Sequence, residues 1–142
     1  MVHVRDLLAA KGSEVWSVEP EAPVLEAIHL MADKCVGALP VMQGDELLGM
    51  VSERDYARKV ILLGRSSAET PVWQIMSAPV ITATLDDSVE HCMSVMTERR
   101  IRHLPVVDDG KVVGIVSIGD LVKAVIEEQR RTIDELERYI VG

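Results

Sequence analysis

Apolar positions along the chain follow helical and extended spacings in the same order twice. In the first half, a short apolar stretch at residues 15–18 precedes a helical pattern at 24–31. Two strand-like stretches follow, at 39–42 and 47–51. The second half repeats this order at residues 80–82, 89–96, 104–107 and 112–116. Each half is therefore predicted to fold as strand–helix–strand–strand–helix.

Turn and capping residues separate these predicted elements. Pro23 suits the first position of the first helix, and either Asp86 or Asp87 suits the N-cap of the corresponding later helix. A further helix is predicted to open at Ser52, and another at Ser117. The strand pairs are predicted to be hairpins that turn at residues 43–45 and 108–110.

The two halves are related by a constant offset of 65 residues. The triplet Leu-Pro-Val at 39–41 recurs at 104–106, and Asp55 recurs as Asp120 without any gap. Such a constant offset indicates duplication. The predicted domains are repeat 1 with the N-terminal segment at 1–67, repeat 2 at 72–127, and a C-terminal helical extension at 128–142, with a polar linker at 64–71.

One repeat is too small to cover its own sheet, so the two repeats are expected to pack about a pseudo-twofold axis in an α+β fold. Hydrophobic residues make up 48% of the 142 and aromatic residues only 3%, which predicts an aliphatic core. A formal net charge of -8 argues against general nucleic-acid binding.

Membrane insertion and secretion are not expected for this chain. No apolar run approaches the roughly 18 residues of a membrane span, and the N-terminus lacks the layout of a signal peptide. Cys35 and Cys92 occupy apolar positions of helical patterns, which predicts two buried free thiols. The expected compartment is the reducing cytoplasm.

The run Gly-hydrophobic-x-Ser-x-x-Asp stands at residues 49–55 and again at 114–120. On these two runs, in phase with the Leu-Pro-Val strands, the chain resembles the paired CBS domain, or Bateman module, over residues 4–127. The resemblance implies an adenosine-ligand sensor with two clefts between its repeats, often assembled as a flat dimer. Expected ligands are AMP first, then ADP or ATP, with NAD and S-adenosylmethionine as further candidates. A stand-alone module without an attached enzyme is expected.

The Ser-x-x-Asp pairs have two compatible interpretations. Ser52 with Asp55, and Ser117 with Asp120, have the spacing of a capping box, which satisfies free amides at a helix start. The same aspartates can accept hydrogen bonds from a ribose diol, and the serine hydroxyl and free amides can meet phosphate. The resemblance favours the ligand-binding interpretation.

By analogy with nucleotide-binding members of the family, each motif is expected to face segments of the other repeat. Ser117, Asp120 and Ile115 are expected to face Val15, Trp16, Gly37 and Ala38. Ser52, Asp55 and Met50 are expected to face Val80, Ile81 and Arg102. Gly37 and Ala38 would allow a ligand to approach the backbone closely, or they simply form a tight helix-to-strand turn.

Cations near the second repeat are candidates for phosphate binding. The resemblance places Arg102 and His103 where family members often hold phosphate, and Arg54 lies inside the first motif. Arg99 and Arg100 are interpreted as solvated complements of a helix C-terminus. In repeat 1, Gly37 and Ala38 stand where repeat 2 has Arg102 and His103, so the two clefts are predicted to differ.

Other chemistry finds little support in the sequence. The four histidines lack metal-ligand spacing, no arrangement for covalent catalysis occurs, and Lys11-Gly12-Ser13 lacks the glycines of a phosphate loop. No catalysis and no bound metal are expected. The leading hypothesis is a homodimeric adenine-nucleotide sensor that signals to an unidentified downstream protein. The alternative is a ligand-independent dimeric scaffold, in which the motif residues only cap helices.

The last helix is predicted to continue beyond the second motif to Tyr139. Its apolar positions include Ile126, Ile133 and Ile140, which follow a heptad spacing. This apolar stripe either folds back on the core of its own chain or contacts a helix of a second subunit.

Overall fold

The computed structural model of the chain describes residues 2–141, which form helices and two antiparallel hairpins. In chain order the elements are α1 (Val4–Lys11), α2 (Val24–Lys34), β1 (Ala38–Gln43), β2 (Glu46–Ser52), α3 (Glu53–Tyr56), a π-helical turn (Ala57–Ile61), a 3-10 turn (Val72–Gln74), α4 (Val89–Arg99), β3 (His103–Asp108), β4 (Lys111–Ser117) and α5 (Ile118–Val141). The α+β class, the two hairpins and the helices that follow Ser52 and Ser117 are thereby confirmed.

The chain folds into two compact units whose limits differ from the repeat limits. The first-repeat unit is Val15–Ile81, and the second-repeat unit combines Met1–Glu14 with Thr82–Gly142. In the second-repeat unit, the amide of Val4 donates to the carbonyl of Asp87 at 2.9 Å, and Val89 donates to Val2 at 3.0 Å. The N-terminal segment is therefore built into the unit that contains the later repeat.

The segment expected to be a polar linker is part of the first-repeat unit. The amide of Val24 donates to the Thr70 carbonyl at 2.8 Å, and the amide of Val72 donates to the Ala22 carbonyl at 2.8 Å. Thr70 is buried. These bonds complete the start of α2 in the same way that the N-terminal segment completes the start of α4.

The strands predicted at 15–18 and 80–82 do not form, which corrects the sequence analysis. Only Val18 makes a parallel bridge, with Val41, and in the other unit the bridge falls at Ala83, with Val106. Extension of the first bridge toward Trp16 would require an amide donor at Pro40, which proline lacks. Pro105 has the same effect beside Ala83, because it follows the same Leu-Pro-Val pattern.

Two helix starts also differ from the prediction. Pro23 is the N-cap of α2, so the helix begins one residue later, at Val24. Ser88, and neither predicted aspartate, caps α4: its hydroxyl accepts from the His91 amide at 3.1 Å. Asp87 instead accepts from the amide of Thr84 at 2.8 Å. Its carboxylate is therefore committed to the preceding turn.

Aliphatic side chains fill the interior of each unit. In the first-repeat unit the core includes Met31, Leu39, Val41, Val51 and Ile75, with further members on α2, on the π-helical and 3-10 turns and at the bridge of Val18. Cys92 is buried as predicted, whereas Cys35 is exposed, which corrects the expectation of two buried thiols. α2 ends at Lys34, and Cys35 follows in the left-handed conformation with φ 55°. The helical periodicity that would have buried Cys35 therefore no longer applies.

α5 continues as one helix to Val141, so the predicted extension is confirmed. Its buried residues are Leu121 and Ala124, Val125 is half-buried, and the apolar residues from Ile126 onward are exposed within the single chain. No helix among residues 2–141 combines the length and the apolar character needed to cross a membrane.

Candidate functional site

Each Ser-x-x-Asp motif forms a complete capping box at the junction of a strand and a helix. The Ser52 amide donates to Asp55 Oδ2 at 3.0 Å, and the Asp55 amide donates back to Ser52 Oγ at 3.1 Å. The corresponding distances for Ser117 and Asp120 are 2.8 and 3.2 Å. Both serines and both aspartates are half-buried. The capping interpretation of the motif is therefore correct in both units.

Capping does not use all of the carboxylate in the second-repeat unit. Lys11 and the Ser117 amide both donate to Oδ2 of Asp120, and the Ser117 hydroxyl also bonds to this carboxylate. Oδ1 accepts neither the bond from Lys11 nor the bond from the Ser117 amide. In the first-repeat unit, Asp55 accepts from Ser52 through Oδ2 and lies 3.3 Å from Lys59 Nζ through Oδ1.

A lysine ammonium contacts the motif aspartate in each unit. Lys11 Nζ lies 2.7 Å from Asp120 Oδ2 and 2.9 Å from the Ile115 carbonyl. Lys59 Nζ, besides its contact with Asp55, donates to the Ile75 carbonyl at 2.9 Å. Neither lysine is among the site residues predicted from the sequence. The i,i+4 spacing of Asp55 and Lys59 could have indicated the second pair, but Lys11 and Asp120 are 109 residues apart.

The strands β1 and β3, which pair with the strands that lead into the two motifs, differ in the charged residues that they bring near each motif. In β3, His103 lies opposite Ser117, and the Arg102 carbonyl accepts from the Ile118 amide at 2.9 Å. Arg102 is exposed and His103 is half-buried. The structure therefore brings two of the predicted phosphate-binding residues to the motif of their own unit.

Electrostatics tie these residues into one cluster. Burial lowers the pKa of His103; the Asp120 carboxylate opposes this shift, whereas Lys11 and Arg102 add to it. Burial alone would raise the pKa of Asp120, but hydrogen bonds from Lys11 and Ser117 outweigh burial and hold that pKa below its usual value. At neutral pH the cluster therefore contains one carboxylate, two full cations and a neutral imidazole.

The corresponding place in the first-repeat unit carries no cation from the strand. Ala38 lies opposite Ser52, and the Gly37 carbonyl accepts from the Glu53 amide at 3.1 Å. Ala38 is buried, so its methyl group belongs to the core. Gly37 thus lies in the helix-to-strand turn and Ala38 begins β1, and the inequality of the two clefts stays a prediction.

The remaining predicted site residues take varied positions. Met50 exchanges backbone hydrogen bonds with Ser77 at 3.0 and 2.8 Å, so its amide and carbonyl are already paired. Trp16 is exposed and stacks under the Lys34 ammonium, 4.0 Å from the ring centroid. Arg54 is exposed on α3, and the half-buried remainder are Val15, Val80 and Ile81.

The units divide the predicted site residues in a definite way. Arg102, His103, Ile115, Ser117 and Asp120 share the second-repeat unit, and the other ten belong to the first-repeat unit. Arg102, which the sequence analysis grouped with Asp55, lies beside the Ser117 motif. The grouping of each motif with segments of the other repeat stays a prediction.

Comparison with known proteins agrees with this repeated arrangement. The CBS domain family profile matches residues 4–61 and 72–127. A mitochondrial CBS domain-containing protein of Arabidopsis thaliana, CBSX3, is 42% identical over 139 residues, covering 94% of this chain and 67% of the relative. A CBS-domain protein from Burkholderia ambifaria has a solved structure with 50% identity and a TM-score of 0.87, covering 90% of this chain and 96% of that one.

One further solved structure has bound ligands. The CBS domain pair of protein MJ0100, in complex with 5'-methylthioadenosine and S-adenosyl-L-methionine, is 27% identical with a TM-score of 0.78, covering 87% of this chain and 99% of that one. Each of the two matched ranges contains one Gly-x-x-Ser-x-x-Asp run and one capped strand–helix junction. The chain belongs to the CBS domain family, as a protein that contains a pair of CBS repeats.

Proposed function

We propose that this protein is a regulatory sensor that binds an adenosine-containing ligand through its two Ser-x-x-Asp motifs, without catalysis. The observation that carries the proposal is the half-buried Asp120 carboxylate, an acceptor that Lys11 contacts and that shares one cluster with His103 and Arg102. A related CBS pair was solved with two adenosine compounds, which supports this ligand class. We propose AMP as the preferred ligand, with ADP, ATP and NAD as weaker candidates.

Ligand binding to the folded state can be tested by thermal unfolding of the full chain with each nucleotide and with S-adenosylmethionine. A ligand at about a hundredfold excess over its Kd would stabilise the protein by about 2.7 kcal/mol. We expect AMP to raise Tm in the wild-type protein and less so in Asp120→Ala or Asp55→Ala. Asp134→Ala, which removes the same charge from an exposed position on α5, is the matched control.

The competing function is a scaffold in which the motif residues only cap helices. On that hypothesis, Asp55→Ala and Asp120→Ala lower the unfolding free energy by about 0.5–2 kcal/mol each. Neither substitution then changes the Tm shift with any ligand, because the wild-type protein shows none. Absence of a Tm shift in the wild-type protein with every ligand would overturn the sensor proposal in favour of the scaffold.

We further propose that the protein forms a homodimer through the exposed part of α5. Val122, Ile126, Ile133, Leu136 and Ile140 follow spacings of three, four and seven residues and form what we call the α5 stripe. Their side chains are 42–80% exposed within one chain. A second copy of the same helix would bury this stripe.

Charges beside the α5 stripe favour an antiparallel pairing. Arg130 and Glu137 lie on the same flank of the stripe, seven residues apart. In an antiparallel pair centred near Ile133, Arg130 of each copy approaches Glu137 of the other copy, so two opposite-charge pairs form. A parallel pair would not bring these two residues together.

The α5 dimer can be tested by sedimentation velocity. Ile133→Glu with Leu136→Glu is expected to give a monomer of unchanged fold by circular dichroism. Arg131→Glu, on the opposite face of the same helix, is expected to leave the dimer intact. A wild-type protein that sediments as a monomer, or a dimer that survives the double substitution, would contradict the α5 interface.

The proposed regulatory role requires that ligand binding differ between two arrangements of the protein. A ligand shifts such an equilibrium only by its difference in affinity for the two arrangements. The partner that reads this shift is proposed to be another protein. The proposed compartment is the cytoplasm, since Cys35 and Cys92 are both free thiols.

A further inference from the structure

Lys11 donates hydrogen bonds to two acceptors of the second Ser-x-x-Asp motif region. Its ammonium contacts Asp120 Oδ2 at 2.7 Å and the Ile115 carbonyl at 2.9 Å, both within the second-repeat unit. Lys11 is the last residue of α1, and Gly12 follows it with φ 95°. The chain therefore turns away directly after the lysine, whose side chain reaches back to the motif.

The cations around Asp120 outnumber its single negative charge. His103 lies within the field of Asp120, Lys11 and Arg102, which places all four groups in one neighbourhood. Asp120 has a side chain 25% exposed and Lys11 one 39% exposed, so their contact is partly shielded from water. An anion that entered this cluster would meet two full positive charges and only one carboxylate.

We propose that Lys11 selects phosphorylated adenosine ligands at this motif by transferring its ammonium from Asp120 to the ligand phosphate. The inference rests on the proposed adenosine-binding function. A ribose diol brings two donors to a carboxylate whose Oδ2 already accepts from Lys11, so the diol competes with Lys11 for Asp120. An ammonium displaced in a partly buried place requires another anion, and a phosphate provides one.

An unphosphorylated nucleoside offers no such exchange. Adenosine would displace Lys11 from the carboxylate and leave it with only the Ile115 carbonyl. The sulfonium of S-adenosylmethionine would add a third cation to the cluster. The arrangement therefore favours AMP over both ligands, although all three carry the same ribose.

The first-repeat unit lacks this exchange for a structural reason. Lys59 lies four residues after Asp55 on the same helical segment and has no second cation from the neighbouring strand to join it at a phosphate. The strand beside this motif contributes Gly37 and Ala38 in place of Arg102 and His103. Selectivity for phosphate is therefore assigned to the Lys11 site alone.

The ratio of AMP affinity to adenosine affinity tests this assignment. Isothermal titration of the full chain is expected to show AMP binding more tightly than adenosine. In Lys11→Met, AMP affinity is expected to fall about tenfold, the loss of one charge-assisted hydrogen bond, while adenosine affinity holds or rises. Lys11→Arg is expected to keep most of the preference for AMP.

Lys111→Met is the matched control, because it removes the same charge from an exposed hairpin position of the same unit. It should leave the ratio as in the wild-type protein. An unchanged ratio in Lys11→Met, or an equal loss for both ligands, would overturn the role of Lys11 while nucleotide binding still stands. If wild-type protein binds neither ligand, the proposed function fails together with this inference.

Discussion

Gly114 leaves room for Leu8: a Cβ atom at residue 114 would lie 2.7 Å from Leu8 Cδ2 and 2.8 Å from Cδ1. Leu8 is a buried residue of α1, and Gly114 is a buried residue of β4. The glycine of the Gly-x-x-Ser-x-x-Asp run is thus needed for packing. In the other unit, Met76 lies equally close to Gly49, with Sδ 2.6 Å from the position of an added Cβ.

Gly114→Ala is expected to lower the unfolding free energy by about 1–3 kcal/mol, because Leu8 must leave its place in a packed core. Urea denaturation measures this change. In a double-mutant cycle, the losses from Gly114→Ala and Leu8→Ala should be less than additive, because the smaller side chain at residue 8 gives room for the added methyl group. Gly119→Ala is the control, since its nearest atom is 3.6 Å away and alanine favours the helix. Equal stability of Gly114→Ala and wild type would contradict the close packing.

The contact between Lys11 and Asp120 should make a modest contribution to stability. Because both side chains remain partly exposed, a double-mutant cycle with Lys11→Met and Asp120→Asn is expected to give about 0.2–1 kcal/mol of coupling. The folded-state pKa of Asp120 is lowered, so this contribution is present above about pH 4 and is lost on acidification. A coupling that stays constant down to pH 2 would argue against the ion pair.

His103 should also make stability fall on acidification, but at a higher pH than Asp120 does. Its pKa is lowered in the folded protein, chiefly by burial, so the unfolded chain binds a proton first as the pH falls. The unfolding free energy is therefore expected to decrease as the pH drops below about 6.5. His103→Gln should flatten this part of the profile. Identical profiles for His103→Gln and wild type would refute the assignment.

The two thiols should differ in reactivity. Cys35 is exposed, whereas Cys92 is buried, and burial together with the Asp87 carboxylate raises the pKa of Cys92 to about 11. Iodoacetamide at pH 8 is expected to alkylate Cys35 in the native protein and to reach Cys92 only after denaturation. Peptide mass mapping measures both sites. Native labelling of Cys92 at a rate similar to that of Cys35 would contradict the buried position.

The charge pattern beside the α5 stripe gives a test that is specific for orientation. Arg130→Glu should place two like-charged pairs in an antiparallel dimer and raise its dissociation constant several-fold, since each exposed pair contributes about 0.2–1 kcal/mol. Combining it with Glu137→Arg should restore the dimer, because both pairs regain opposite charges. Failure of the reversed pair to recover association, measured by sedimentation equilibrium, would exclude the antiparallel orientation.

Several features of the fold could be predicted because they depend on neighbours in sequence. The hairpins follow from alternating apolar stretches around short turns, and the capping boxes join residues only three apart. The bridge at Val18 ends because Pro40 has no amide donor. This effect of Pro40 can be recognised only once the register that pairs Val18 with Val41 is known. Ser88 was overlooked as a cap because Asp86 and Asp87 precede it with equally suitable side chains.

Residue order alone specifies the doubled repeat, the α+β class and the position of each motif at a strand–helix junction. These properties arise from short-range hydrogen bonding and from periodic burial. Only the folded chain shows that the N-terminal segment joins the second-repeat unit and brings Lys11 to Asp120 across 109 residues. It also places Leu8 over Gly114. Contacts of this kind depend on how α1 packs against β4, and no local pattern in the chain records that packing.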